Sequence, residues 1–178
     1  MRSRLNLVPA ALVAFAGPAI ALENQSIEVA QARLFPGQSL APADFALTED
    51  QLEYLRSEYE VPFIRPRFKA RRTSAGDWLF LDQVYGLQDI ISYAVAIDAK
   101  GVVTGIEILV CVEGYCDIAK PEWRALLVGK TYGKWSAKTG ATTISGATLS
   151  SVHVVEGVKK LLAIHTHYLA KEKPTAPL

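Results

Sequence analysis

From residue 78 onwards, apolar runs separated by polar residues form a pattern typical of β-strands. β-branched and aromatic side chains fill three runs in this part of the chain, and such residues pack well on a pleated surface. The polar stretch from Asp98 to Gly101 separates two of the runs and is typical of a turn. The pattern predicts strands at about 78 to 85, 91 to 98 and 102 to 112 in an antiparallel sheet.

A different periodicity predicts helices after the sheet. The sequence Lys120-Pro121-Glu122-Trp123 opens a short helix with proline in its first turn, and Gly129 ends it. A longer helix is predicted from about Leu149 to Leu169. Its apolar positions recur at helical spacing: Val152, Val155, Val158, Leu161 and Leu162.

Residues 22–75 predict a helical N-terminal extension. A short helix is predicted at Ile27–Leu34, and Thr48-Glu49-Asp50-Gln51 is a capping box that opens a second helix to about Tyr59. The basic run RPRFKARR, residues 65–72, is interpreted as a solvated strand or linker. The alternative for this run is a docking patch for an acidic partner.

These elements predict an α+β fold, in which an antiparallel sheet is covered by helices and follows an N-terminal helical extension. The predicted division is a leader at 1–21, the extension at 22–75, the main domain at 76–170 and a tail at 171–178.

The first 21 residues have the pattern of a secretion signal. Arg2 and Arg4 precede the apolar run Leu5–Ala16, and the small residues of Ala19–Ala21 predict cleavage after Ala21. A retained membrane anchor is the less favoured alternative, because the run is short of the ~20 apolar residues that span a bilayer. We therefore expect an exported, periplasmic or extracellular chain that is soluble and has no membrane anchor.

Charge and cysteine content narrow the function classes. The net charge is 19 − 18 = +1, which gives no electrostatic basis for binding nucleic acid. The two cysteines, Cys111 and Cys116, are expected to form a disulfide in an oxidising compartment. Two separate thiols are the alternative, and a metal site is disfavoured because no further ligand lies nearby in sequence.

The spacing of the three histidines does not favour a shared metal site. His165 and His167 are two positions apart, so they point in different directions, and all three are expected at the solvated surface. His153 follows Ser150 by three residues, but no nucleophile elbow or orienting carboxylate accompanies the pair, which leaves a serine hydrolase as a remote alternative.

The tripeptide Gly-Ala-Thr occurs at Gly140–Thr142 and again at Gly146–Thr148, and only the second copy directly precedes the long helix. The first copy is interpreted as a loop. A helix N-terminus presents unpaired N–H groups to an anion, and glycine allows a close approach. The second copy therefore predicts a phosphate site, with helix capping as the alternative. Hydroxyl groups surround it: Ser145, Thr148, Ser150 and Ser151.

Together with the upstream segment VEGYCDIAKPEWRALLVGKTYGKW, residues 112–135, the motif Ser145-Gly146-Ala147-Thr148 resembles the FMN-binding domain family. This family includes flavinylated subunits of Rnf and Na+-translocating NADH:quinone reductase complexes, and small exported proteins. The resemblance implies that a flavin transferase joins FMN to Thr148 through a phosphodiester. It also implies cofactor contacts from further residues: Ser145, Gly146, Ala147, Ser150, Ser151, Glu113, Gly114, Tyr115, Trp123 and Lys130.

Two positions depart from the family pattern. Glu113-Gly114-Tyr115 stands where the family has E-T-x-G beside the flavin ring, and Thr142 stands where the transferase motif usually has Asp. Tyr115 and Trp123 are candidates for packing on the ring, and each has an alternative place in the core.

The resemblance implies an electron-transfer module rather than a stand-alone enzyme. Its expected partners are the flavin transferase and redox proteins such as cytochromes or membrane oxidoreductases. The alternative is a flavin-free accessory module of the same fold.

Overall fold

The computed structural model describes residues 19–58, 65–112, 116–133 and 148–170, apart from the side chains of residues 19–26 and Thr148. The strands are β1 (Ala41–Pro42), β2 (Phe45–Ala46), β3 (Arg67–Arg72), β4 (Trp78–Tyr85), β5 (Ile90–Ile97) and β6 (Val103–Val110). The helices are α1 (Ala19–Leu34), α2 (Glu49–Glu58), a 3₁₀ turn (Asp117–Ala119), α3 (Pro121–Ala125) and α4 (Thr148–Ile164), which continues as a π-helix (His165–Leu169). Most of the expected leader and the expected tail lie outside the described residues.

Within these ranges the six strands form an antiparallel sheet in the order β1-β3-β4-β5-β6, and β2 also pairs with β3. The hairpin of β4 and β5 is paired over its full length, from Trp78 with Ile97 to Tyr85 with Ile90. The turn into β6 places Gly101 at φ 82°, a conformation that costs glycine little. The predicted α+β class, the three strands and this turn are confirmed.

Side chains alternate between the two faces of each strand. Both faces of the sheet carry apolar side chains, and helices cover both of them. One face carries the larger core, where Phe80, Ile91 and Val95 pack with the apolar side of α4. Leu52 and Leu55 of α2 also belong to this core. The other face packs against α1 in a smaller cluster of Ala30, Phe35, Leu79, Ala94 and Ala96.

Tyr93 joins β5 to α4 through a buried polar network. A Cβ atom on Gly157 of α4 would lie 2.0 Å from Tyr93 Oη, so glycine makes the room for this ring. The Tyr93 hydroxyl donates to Asp82 Oδ2 at 2.7 Å, and Lys160 Nζ lies 2.6 Å from the same oxygen. Burial, with the nearby Asp82 carboxylate, raises the pKa of Tyr93 well above 10. The phenol therefore stays neutral and acts as a donor.

The helical part of the N-terminal extension follows the sequence prediction. The helix expected at Ile27–Leu34 is the end of α1. The capping box is present at the start of α2, where the Thr48 N–H donates to Gln51 Oε1 at 2.8 Å and the Gln51 N–H donates to Thr48 Oγ1 at 3.4 Å. Reciprocal bonds of this kind satisfy two N–H groups that have no partner within the helix.

The basic run, in contrast, lies inside the sheet. Its residues Arg67–Arg72 form β3, which pairs with β1, β2 and β4. Phe68 and Ala70 are buried, at 4% and 1% exposure. The prediction of a strand is correct, but the extension is not purely helical. The boundary predicted after residue 75 falls within a hydrogen-bonded pair of strands, because β3 residues pair with Leu81 and Trp78 of β4.

His165 corrects the prediction of three surface histidines. It is 2% exposed, and within the described part of the chain its Nδ1 has no hydrogen-bond partner. A Cβ atom on Gly101 would lie 3.3 Å from this nitrogen, so the imidazole fills the space that the glycine turn leaves open. Burial lowers the pKa of His165 below 6.5, Asp98 opposes the shift and Arg72 adds to it.

We expect His165 to make the protein less stable in mild acid. Because its pKa is lower in the folded state than in the unfolded chain, the unfolded chain binds the proton more readily. Stability is thus retained above about pH 6.5 and falls as the pH drops from there towards the lowered value. Urea midpoints of wild type and His165→Gln between pH 5 and pH 8 test this. The variant should lose part of the acid dependence, whereas the exposed His167→Gln should keep it, and identical profiles for all three proteins would contradict the assignment.

Candidate functional site

The backbone of Thr148 begins α4, as the sequence predicted for the second Gly-Ala-Thr copy. No acidic residue lies in the first turn of this helix. The exposed N–H groups and the positive end of the helix dipole are therefore not neutralised by a carboxylate within that turn. The Thr148 side chain and the predicted site residues Ser145, Gly146 and Ala147 lie outside the described residues, as does Thr142.

Two side chains fasten the start of α4 to the turn between β4 and β5. Ser150 is 1% exposed, and its Oγ accepts a hydrogen bond from the Leu87 N–H at 3.0 Å. His153 Nδ1 lies 2.5 Å from the Tyr85 carbonyl oxygen. Since a carbonyl oxygen only accepts, Nδ1 is the protonated nitrogen. Ser150 and His153 thus hold the helix terminus against one end of the sheet.

This arrangement refines the predicted role of the two serines. Ser150 was expected to point its hydroxyl at a phosphate, but its oxygen is engaged by the turn and the side chain is buried. Ser151 lies one position further along and is half-buried. The geometry favours Ser150 as the residue that positions the helix terminus. A cofactor contact by either serine stays a prediction.

Exposed apolar side chains gather at the same end of the sheet. They lie where β4 and β6 end and where α4 begins, and we call them the apolar rim: Tyr85 (54% exposed), Leu87 (62%), Val110 (38%), Val112 (65%) and Leu149 (44%). Exposed apolar groups that concentrate at one place mark binding surfaces more often than scattered ones do.

A disulfide between Cys111 and Cys116 closes the turn that follows β6, as predicted. The two Cα atoms are 6.2 Å apart, and both cysteines pack against the larger core. Both ends of the turn are therefore held at the end of the sheet where α4 begins. The predicted ring contacts Glu113, Gly114 and Tyr115 stand between the two cysteines in sequence and lie outside the described residues.

Two further predicted contacts, Trp123 and Lys130, have other surroundings. Trp123 is buried in the core, and the Lys130 backbone lies beside the start of β6. Trp123 is 1% exposed in the larger core, so its contacts support the core interpretation over packing on a ring. The Lys130 carbonyl accepts a hydrogen bond from the Val103 N–H at 2.8 Å. Val103 begins β6, about 20 Å from Val110 at the rise of an extended strand. The Lys130 backbone therefore lies near the start of β6, and a cofactor contact by its side chain stays a prediction.

The sequence did not predict the two residues that hydrogen-bond to the start of α4, Tyr85 and Leu87. They contribute backbone groups to the contacts, and a backbone donor or acceptor leaves no signature in the side-chain pattern. The positions of Ser150 and His153 did carry a signal. Their spacing of three residues places both on one side of a helix.

The middle of the chain matches a known family. Residues 86–163 match the model of the FMN-binding domain family, a segment that runs from the turn after β4 through the disulfide to nearly the end of α4. No curated protein matches the chain significantly. The segment from residue 86 to residue 163 contains all of the apolar rim except Tyr85, and on this match the chain contains a domain of the FMN-binding domain family.

Proposed function

We propose that this protein is an exported flavoprotein that carries FMN esterified to Thr148 and transfers electrons between partner proteins. The observation that carries the proposal is the family match over residues 86–163. The matched segment includes both the start of α4 and the disulfide-closed turn.

The start of α4 suits the phosphate end of FMN. Its first turn has no acidic residue, and the unpaired N–H groups of a helix terminus attract an anion. Ser150 and His153 hold this terminus in place through Leu87 and Tyr85. A fixed terminus binds an anion without first paying the entropy of ordering itself.

The apolar rim suits the planar ring of the cofactor. FMN, when bound, supplies redox chemistry, and the protein positions the ring and tunes it through nearby groups. Leu87, Val112 and Leu149 offer exposed apolar surface beside the helix terminus. The Cys111–Cys116 disulfide fixes both ends of the segment whose middle residues are Glu113, Gly114 and Tyr115. We propose that these three residues contact the ring.

A covalent bond to Thr148 prevents the loss of the flavin by dissociation outside the cytoplasm. Association costs ~4–15 kcal/mol in lost translational and rotational freedom, and a dissociated flavin would be diluted beyond recovery. An ester to the Thr148 hydroxyl removes that cost after attachment by the flavin transferase.

Export is supported by the signal pattern of residues 1–21 and by the disulfide, because disulfides persist in oxidising compartments. In the part of the chain that the structure describes, no helix has the length and apolar character needed to cross a membrane.

A flavin-free accessory module is the second candidate. It is favoured by Thr142, which replaces the acidic residue of the transferase motif, and no Asp or Glu occurs from Gly133 to Leu149. In this case the domain would keep its fold and serve in protein contacts alone.

Co-expression with a flavin transferase and intact-mass measurement distinguish the two candidates. The exported wild type should gain the mass of one FMN ester and fluoresce in a denaturing gel. Thr142→Asp restores the motif's acid and should increase the labelled fraction, whereas Thr142→Ala should leave labelling unchanged. If neither wild type nor Thr142→Asp is labelled by a transferase that labels a positive control, the flavin-free module is the better account.

A further inference from the structure

Strand β3 and the residues just before it present a basic strip to solvent. Five of the 19 Lys and Arg residues of the chain lie between residues 65 and 72, and no Asp or Glu occurs from Val61 to Gly76. Three of the five are exposed, and we call these the basic strip: Arg65, Arg67 and Lys69. Within the described residues, none of the three makes an ion pair. Their charges are therefore available to a partner.

The alternation of β3 sets the face on which Arg67 and Lys69 project. Phe68 and Ala70 belong to the larger core on the α4 face. Arg71 lies on the opposite face, where its guanidinium donates to Gln31 of α1. Since alternate residues share a face, Arg67 and Lys69 project beside α1, away from α4.

The register of β3 with β4 sets the end of the sheet at which the strip lies. Lys69 pairs with Leu81 and Arg72 pairs with Trp78, so the chain runs from Arg72 back to Arg67 in the direction of Tyr85. Tyr85 ends β4 and contacts His153 of α4. Lys69 and Arg67 thus lie about one strand spacing, ~5 Å, to the side of β4. Lys69 is opposite the middle of β4, and Arg67 is closer to the end of the sheet that carries the apolar rim.

We infer that the basic strip, together with exposed Tyr85, is the docking surface for an acidic one-electron carrier protein. An apolar centre bordered by charge is the usual composition of a protein interface, and unpaired cations raise the rate of encounter with a carboxylate-rich surface. This inference rests on the proposed function. In the exchange, two electrons pass one at a time from the dihydroflavin to two oxidised carriers, and its two ring protons pass to water.

The pair of native and succinylated cytochrome c tests the inference, because succinylation converts surface lysines to carboxylates on the same haem protein. The full-length, flavin-loaded protein is reduced with dithionite, freed of reductant and mixed with either ferric cytochrome at low ionic strength. Wild type should reduce the succinylated form faster, and added salt should abolish the difference. Arg67→Glu with Lys69→Glu should lower the rate for the succinylated form about tenfold.

A matched control changes the net charge equally at other places. Arg56→Glu with Lys100→Glu alters two exposed cations, one on α2 and one in the turn before β6, and it should leave the rate nearly unchanged. If both double variants lower the rate equally, the inference fails, because the rate would then depend on the net charge of the protein and not on the position of the charges.

Binding to the flavin-free protein separates this inference from the proposed function. Thr148→Ala protein should bind succinylated ferric cytochrome c in a titration, and Arg67→Glu with Lys69→Glu should abolish that binding whether or not flavin is ever attached. Phosphatidylglycerol vesicles are the second probe. If the strip variant loses vesicle binding while its binding to succinylated cytochrome c is unchanged, a membrane surface replaces the protein partner and the inference fails.

Discussion

Thr148→Ala is expected to remove covalent FMN completely while the protein remains folded. Alanine has no hydroxyl to form the ester, and the loss of at most one capping hydrogen bond costs about 1 kcal/mol. Intact-mass spectrometry after co-expression with the transferase should find only the unlabelled mass, and thermal unfolding should remain cooperative.

Two further variants make this result specific to the hydroxyl of the second Gly-Ala-Thr copy. Thr148→Ser keeps a hydroxyl at the same position and should retain label. Thr142→Ala removes the hydroxyl of the first copy and should label like wild type. An FMN ester on Thr148→Ala would assign attachment to another residue and would refute the site.

Asp82→Asn is expected to lower the free energy of unfolding by about 3–5 kcal/mol, the range found when one partner of a buried ion pair is removed. Lys160 is 1% exposed, and its ammonium lies 2.6 Å from the Asp82 carboxylate. The substitution leaves that cation buried without a counter-charge. Urea denaturation at neutral pH measures the loss.

Removing the cation as well should recover most of the stability. In Asp82→Asn with Lys160→Met no charge remains buried at this place, and replacing a buried pair with apolar groups is often neutral. As a control, Glu49→Gln breaks the exposed pair with Arg56 and should cost less than 1 kcal/mol. A loss for Asp82→Asn no larger than that of Glu49→Gln would show that the buried network contributes little.

The lengths and order of most elements were predictable because local physics decides them. The Thr48–Gln51 capping box forms from residues three positions apart, and the strand pattern of residues 78–85 coincides with β4. The disulfide was predictable for a related reason. Cys111 and Cys116 are five residues apart and have no competing cysteine.

The placement of two residues has a different physical origin. The residues near Lys130 in sequence do not predict which end of β6 it contacts. Its hydrogen bond with Val103, a residue distant in sequence, decides this. His165 is polar and near a helix end, yet the gap left by Gly101 buries it.

The sequence by itself determined most of the elements, the cysteine pairing, the resemblance to the FMN-binding domain family and the position of Thr148 at a helix start. Only the tertiary structure decided which groups surround that helix start. It placed Tyr85, Leu87 and Val112 at one end of the sheet, moved Lys130 to the other end and brought the basic strip beside β4. The physical reason is that turns and caps depend on neighbours within a few residues, whereas strand register and helix docking depend on contacts between distant segments, which a local pattern does not encode.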